Sequence, residues 1–199
     1  MTTQHDFEIR STITPMGRRI WIVVGAVAVW CLLVAFGIRE IYGYSTTTGA
    51  RAEAPSQWPA ESSLVRSTSK PTIIMFVHPD CPCTRASLTE LATIVDAASV
   101  KPAIEIVFSE PGSSWAVAAR IPGAALTLDR DGSETARFGA ATSGHVVVYD
   151  AAGTLQFAGG ITGSRGHAGD NVGRRMVAQA VESPHPIAAE HEVFGCALR

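Results

Sequence analysis

"TIIMFVHPDCPCTRASLTEL", residues 72–91, sets a six-residue apolar run against a helix-like segment, with two cysteines at the junction. The run "TIIMFV" (72–77) is uncharged and bounded by polar residues, the pattern of a short strand buried on both faces. Residues 82–98 space their apolar side chains at helical intervals, with Leu88, Leu91 and Val95 on one stripe. Pro82 suits the first turn of that helix, where a missing N–H has no partner to lose. A strand running straight into a helix predicts an α/β domain whose chemistry lies at the turn.

Working outward, the same alternation continues. "AIEIVFS" (103–109) reads as the next strand, followed by a helix near 114–120. "SETARFG" (133–139) is a short helix ended by Gly139, and "HVVVYD" (145–150), "AAG" and "TLQFAG" (154–159) form an antiparallel hairpin. A last helix spans about 170–182 with Asp170 as its N-cap. The domain is therefore expected over 71–182. Residues 183–199 form a tail with two prolines and no assigned element, and this tail carries Cys196.

Upstream, residues 20–38, "IWIVVGAVAVWCLLVAFGI", contain no charge. Nineteen residues at about 1.5 Å each span a bilayer core. The run exceeds the roughly 7–15 residues of a signal-peptide core and no A-x-A site follows closely, so a retained anchor is expected. Arg10, Arg18 and Arg19 precede it, whereas Arg39 and Glu40 nearly cancel after it. The positive-inside rule then leaves residues 1–19 in the cytoplasm and sends the rest outside, into a periplasmic or other extracytoplasmic space. Residues 39–70, rich in Ser, Thr, Ala and Pro, read as a tether. With 199 residues, 46% of them hydrophobic, the chain has room for one real core. The formal charge is −2 and no basic cluster follows residue 19, which excludes an electrostatic footprint for nucleic acid.

Cys31 lies within the membrane run and reads as packing, leaving Cys81, Cys83 and Cys196 for chemistry. Cys81 at a strand-to-helix junction meets free amides and the positive end of the helix dipole, which favour thiolate. Cys83 lies two residues on and so points about 200° away around the helix, which makes a Cys81–Cys83 disulfide strained. It reads equally as a small buried residue. Cys196 stands in a tail long enough to fold back, as a resolving thiol or as a sulfur buried by "VFGCAL". His78 with Cys81, Cys83 and Cys196 offers a soft-metal set suited to copper or zinc, with His145 and His167 as further imidazoles. His185 and His191 are expected to face solvent. The loop "GGITGSRGHAGDN" (159–171) invites an anion onto Arg165 and helix amides, beside His167, but lacks the G-K-[ST] of a nucleotide loop.

These residues carry a family resemblance. The chain resembles membrane-tethered thioredoxin-like proteins of the TlpA and ResA branch, whose motif reads approximately F-W-A-x-W-C-x-P-C-R-x-E-x-P-x-L. Phe76, Cys81, Arg85 and Leu91 fall on the phenylalanine, attacking cysteine, arginine and leucine, while Thr84 falls on the second cysteine. Residues 128–160 are similar to the short helix, strand and hairpin of that family, with Gly144 in place of its cis-proline. "HPDCPC", "SRGHAGDN" and "FGC" also resemble bacterial proteins labelled RedB. The resemblance implies a thioredoxin-like fold behind a single transmembrane helix. It implies a thiol-disulfide oxidoreductase without cofactor, acting on an exported thiol or disulfide protein through Cys81 with Cys83 or Cys196 resolving. Two other readings stay open: a copper or zinc delivery module on the same cysteines, and an interaction domain without redox activity, which Thr84 and Gly144 favour.

Overall fold

Strand β1 (Thr72–Val77) is buried at all six positions, as its uninterrupted apolar run requires of a strand covered on both faces. The computed structural model describes residues 15–50, 53–182 and 188–198. The other strands are β2 (Ala103–Phe108), β3 (Ala124–Leu128), β4 (His145–Tyr149), β5 (Leu155–Gly160) and β6 (Ala189–His191), and the sheet order is β3-β2-β1-β4-β5-β6. β1, β2 and β3 run parallel, β4 is antiparallel to β1, β5 is antiparallel to β4, and β6 is parallel to β5. The helices are α1 (Pro15–Thr46), α2 (Pro82–Ala97), α3 (Trp115–Ala118), α4 (Ser133–Arg137) and α5 (Val172–Glu182).

Strand alternation divides the core. Ile73, Met75, Val77, Ile106, Phe108, Val146 and Val148 pack with Leu88, Leu91, Ile94 and Val95 of α2 and Val177 and Val181 of α5. Ile74, Phe76, Val147 and Tyr149 face the other way, against Phe138, Leu64 and Leu198. Leu88, Leu91 and Val95 are thus buried together, as the helical spacing predicts. α2 stops where Ala98 turns extended, with ψ 131. α4 starts after Gly132 in the left-handed region, and Asp129 accepts hydrogen bonds from the amides of Glu134 and Thr135.

The structure departs from the sequence reading in four places. β3 was not expected: "AALTL" is half-exposed at the sheet edge and lacks the β-branched run that marks a strand. The tail contains β6, which pairs with β5 from Phe157 to Gly159. Asn171 rather than Asp170 caps α5, its Oδ1 accepting from the Arg174 amide at 2.9 Å, while Asp170 is exposed and pairs with Arg174 and Arg175. The segment expected as a tether is helical to Thr46, and residues 53–66 then run along the domain. There Trp58 stacks edge-on against Phe138 and Tyr149, the Tyr149 hydroxyl donates to Pro55 O, and Ser62 Oγ donates to Glu134 Oε2.

The chain divides into two compact units, residues 1–43 and 44–199. α1 is 32 residues long, about 48 Å at 1.5 Å per residue, and exceeds a bilayer core of about 30 Å. Its mean hydropathy reaches 2.5, and Trp21, Leu32 and Ile41 are all exposed. By length and composition it can cross a membrane, as an anchor or a signal sequence.

Candidate active site

β1 ends at Val77, and the chain turns through His78–Asp80 before α2 begins. Cys81 is the N-cap of α2, extended at φ −73 and ψ 126, and makes no side-chain cap bond to the helix. Pro82 follows in the first turn. The junction is held from several sides: the His78 amide donates to Ser143 Oγ at 2.9 Å, Thr84 Oγ1 donates to His78 O at 2.7 Å, and the Gly144 amide donates to Phe76 O at 2.8 Å. Thr84, standing where the family motif has a second cysteine, is fully buried and lies 3.0 Å from Ser143 Oγ. Its hydroxyl braces the turn. Gly144 has φ +90, where a side chain is strained, and a Cβ there would meet Ser87 Oγ at 2.8 Å. Among the described residues there is no cis peptide bond, so glycine at this position carries an ordinary trans linkage.

The second sulfur comes from the tail. Cys196 O accepts from the Ser143 amide at 2.8 Å, and the Leu198 amide donates to Ala141 O at 3.0 Å. Thr142 and Ala197 form an antiparallel bridge between these two bonds. Gly195 packs so closely on the Ser143 carbonyl that a Cβ would overlap its oxygen. In this register Cys196 Sγ lies 2.9 Å from Cys81 Sγ, and both thiols are free.

The three thiols differ in their protonation. Burial works against charge on Cys81 and is the largest single influence, yet hydrogen bonds from the Cys196 thiol and amide, and then from Cys83, outweigh it and lower its pKa. Cys83 is pushed up to about 11 by burial and by the neighbouring Cys81 charge, against a weaker opposing hydrogen bond from the Gly166 amide. Cys196 is likewise pushed up to about 11, first by burial and then by Cys81. Charge is therefore favoured on Cys81 over the other two, and both of those donate to it.

The remaining sequence candidates sit around this cluster in different ways. His78 is turned away from it: Nε2 pairs with Glu110 Oε1 at 2.8 Å and Nδ1 accepts from the Asp80 amide at 3.3 Å. Both ring nitrogens are engaged, so the imidazole is not free to act as a fourth ligand. His145 is buried in β4, neither nitrogen has a partner, and it lines a cavity of about 370 Å³ with Glu53, Glu190 and His191 rather than with the cysteines. Among the described residues no group of three His, Cys, Asp or Glu side chains is placed to hold a metal ion. Arg165 donates through Nε to Thr47 O at 2.9 Å and lies over the Tyr44 ring at 5.1 Å, so its guanidinium is not held open for an anion. Its charge still favours the thiolates of Cys83 and Cys196 as a minor influence. His167 is exposed, with Nδ1 2.8 Å from Arg165 O. His191 is half-buried and hydrogen-bonds Gly160 O through Nδ1 at 3.1 Å, contrary to its expected exposure, and His185 lies outside the described residues.

Ser143 and Gly195 were not singled out from sequence. The Ser-Gly pair before β4 and the glycine directly before Cys196 were the available signals, since a glycine beside a cysteine in a tail marks a close backbone approach.

No protein-family model matches the sequence, and no curated protein matches it. Among solved structures, the chain is similar to an uncharacterized conserved protein of Geobacillus kaustophilus, at 18% identity and a TM-score of 0.54, covering 77% of this chain and 92% of that one. It is also similar to a hypothetical protein of Sinorhizobium meliloti 1021, at 21% identity and a TM-score of 0.51, covering 77% and 94%. A secreted disulfide oxidoreductase of Mycobacterium tuberculosis, homologous to E. coli DsbE, matches at 17% identity and a TM-score of 0.43 over 58% and 81%. The fold is α/β and thioredoxin-like, with a mixed sheet and a long apolar helix before it.

Proposed function

We propose that this protein is a thiol-disulfide oxidoreductase in which Cys81 is the attacking thiolate and Cys196, rather than Cys83, resolves. The observation that carries this reading is the 2.9 Å approach of the two sulfurs, which tail pairing on residues 141–143 sets up. A disulfide needs the sulfurs to close to about 2.05 Å. Cys81 is extended and outside the helix, so its side chain is free to turn toward Cys196; Cys83, expected from its spacing to point away, also reaches Cys81, as a weaker hydrogen-bond donor than Cys196.

The chemistry is a pair of exchanges. The Cys81 thiolate attacks one sulfur of a client disulfide, forming a mixed disulfide and releasing the other client sulfur as a thiolate. The Cys196 thiol gives up its proton and attacks Cys81 Sγ, and the remaining client sulfur leaves as thiolate and is protonated. The client gains two electrons and becomes a dithiol, while Cys81 and Cys196 become the disulfide. Run backwards, the same steps oxidise a client dithiol. Cys81 suits the first step because its pKa is lowered, and Cys196, raised to about 11, is favoured as a thiol until Cys81 has lost its charge.

On this reading the client is an exported protein; the length of α1 and the arginines before it support a retained anchor with the domain outside the cytoplasm. A reporter fused after Arg199 is expected to work only outside the cytoplasm.

The test uses the full chain in detergent with a disulfide-bonded peptide. Cys81→Ser should abolish exchange, Cys196→Ser should accumulate a mixed disulfide on Cys81, and Cys83→Ser should still turn over. Accumulation in Cys83→Ser with turnover in Cys196→Ser would overturn the assignment.

A further inference from the structure

An attacking thiolate has to be reached, and Cys81 is only 4% exposed. The tail supplies what lies against it. Cys196 Sγ stands 2.9 Å from Cys81 Sγ, and the Cys196 amide is turned toward the same sulfur. A sulfur arriving from another protein needs that place. The backbone that would guide it is also taken, since the Ser143 amide and the Ala141 carbonyl, on either side of the Thr142 bridge position, are both paired to the tail.

We propose that residues 195–198 are an internal competitor: they hold the strand edge of 141–143 that a cysteine-bearing extended segment of the client must occupy, so client docking and resolution alternate on one edge. The inference rests on Cys81 being the attacking thiolate. The client it describes is an extended peptide with its cysteine as half of a disulfide, adding as a strand through main-chain hydrogen bonds. Its cysteine takes the position of Cys196.

The hold is suited to such alternation. Residues 195–198 are held to 141–143 by two main-chain hydrogen bonds, which together make one bridge, few enough to open by local unfolding while the sheet stays intact. Leu198 is buried beside Phe138 and Ala140 and draws the tail back. Tethering keeps Cys196 at high effective concentration, so the tail returns once the client's first sulfur has left. Gly195 lets the tail seat this closely, because any Cβ there meets the Ser143 oxygen. The contact separates seating from chemistry: it can be removed without touching a thiol.

The experiment compares the full chain with Gly195→Ala and, independently, with a chain ending at Cys196, which loses the Leu198 anchor. The probe is a cysteine peptide carried as its mixed disulfide with thionitrobenzoate. Cys81 attack forms the peptide–Cys81 disulfide and releases coloured thionitrobenzoate, and Cys196 attack then releases the peptide thiol. At a pH above the Cys81 midpoint of each chain, where loss of the Cys196 donors does not lower the thiolate fraction, both variants should release thionitrobenzoate roughly tenfold faster, in proportion to the fraction of open edges. Both should then release the peptide thiol more slowly than the parent chain, so that the mixed disulfide persists. A synthetic tail peptide with serine for its cysteine should slow the first step in the variants. Unchanged rates, or both steps slowing together, would show that the tail only positions Cys196 and would overturn the proposal. Absence of any Cys81-dependent thionitrobenzoate release in the parent and in both variants would instead overturn the oxidoreductase reading, and this inference with it.

Discussion

Cys81 keeps a lowered pKa against its own burial because two neighbouring thiols and their amides donate to it, and each donor is raised in turn by the charge it faces. Alkylation of the full chain at mildly acidic pH should therefore label Cys81 before Cys83 or Cys196. In Cys196→Ala the pH midpoint for Cys81 should move upward, since the strongest of the influences holding it down is gone. Faster labelling of Cys83 would assign the nucleophile wrongly. His145 makes the second residue-scale argument. Burial lowers its pKa from the ordinary imidazole value to about 4, so the unfolded chain binds a proton that the folded chain refuses. Stability is then fully present above the unfolded pKa of about 6.5 and is lost progressively as pH falls toward 4, by about 3 kcal/mol. Urea titrations across that window should show the loss, and His145→Leu should flatten it. The place of Cys81 at the head of α2 was legible in the sequence, because the signal is local: a cysteine just before a proline-started helix. The bracing role of Thr84 was not, because it depends on Ser143, 59 positions away.

At the scale of elements, α2 and α5 are joined by a buried ion pair. Glu90 on α2 is 2% exposed, and Arg174 on α5 reaches it at 3.1 Å. The Gly169 amide also donates to Glu90, so the pair fixes the end of the glycine-rich loop as well. Arg174→Ala leaves a buried carboxylate with its main counter-charge removed, and should cost roughly 3 kcal/mol in chemical denaturation. A loss below about 1 kcal/mol would mean that water reaches Glu90 and the contact is a surface one. Strand and helix boundaries in 72–108 were readable within a residue or two, because a run buried on both faces and a single apolar helix stripe leave strong periodicities. β3 and β6 were not, since short edge strands with partly exposed residues have no such pattern and exist because β2 and β5 offer them a partner.

For the whole molecule, the segment before the first strand decides how much chain makes a stable domain. Trp58 lies against Phe138 and Tyr149, and Leu64 is buried in the same cluster. A chain beginning at Pro71 should therefore melt about 5 °C or more below one beginning at Tyr44, with apolar surface exposed on one face of the sheet. Equal melting temperatures would make residues 44–70 a dispensable tether. The apolar helix, the α/β alternation and the position of Cys81 follow from the sequence alone, because each depends on residues within a few turns of one another. The identity of the sulfur facing Cys81, and the engagement of His78 and Arg165 elsewhere, were decided only in three dimensions. They depend on a tail that pairs with residues 141–143, and no local pattern records a backbone edge that brings together two cysteines 115 residues apart.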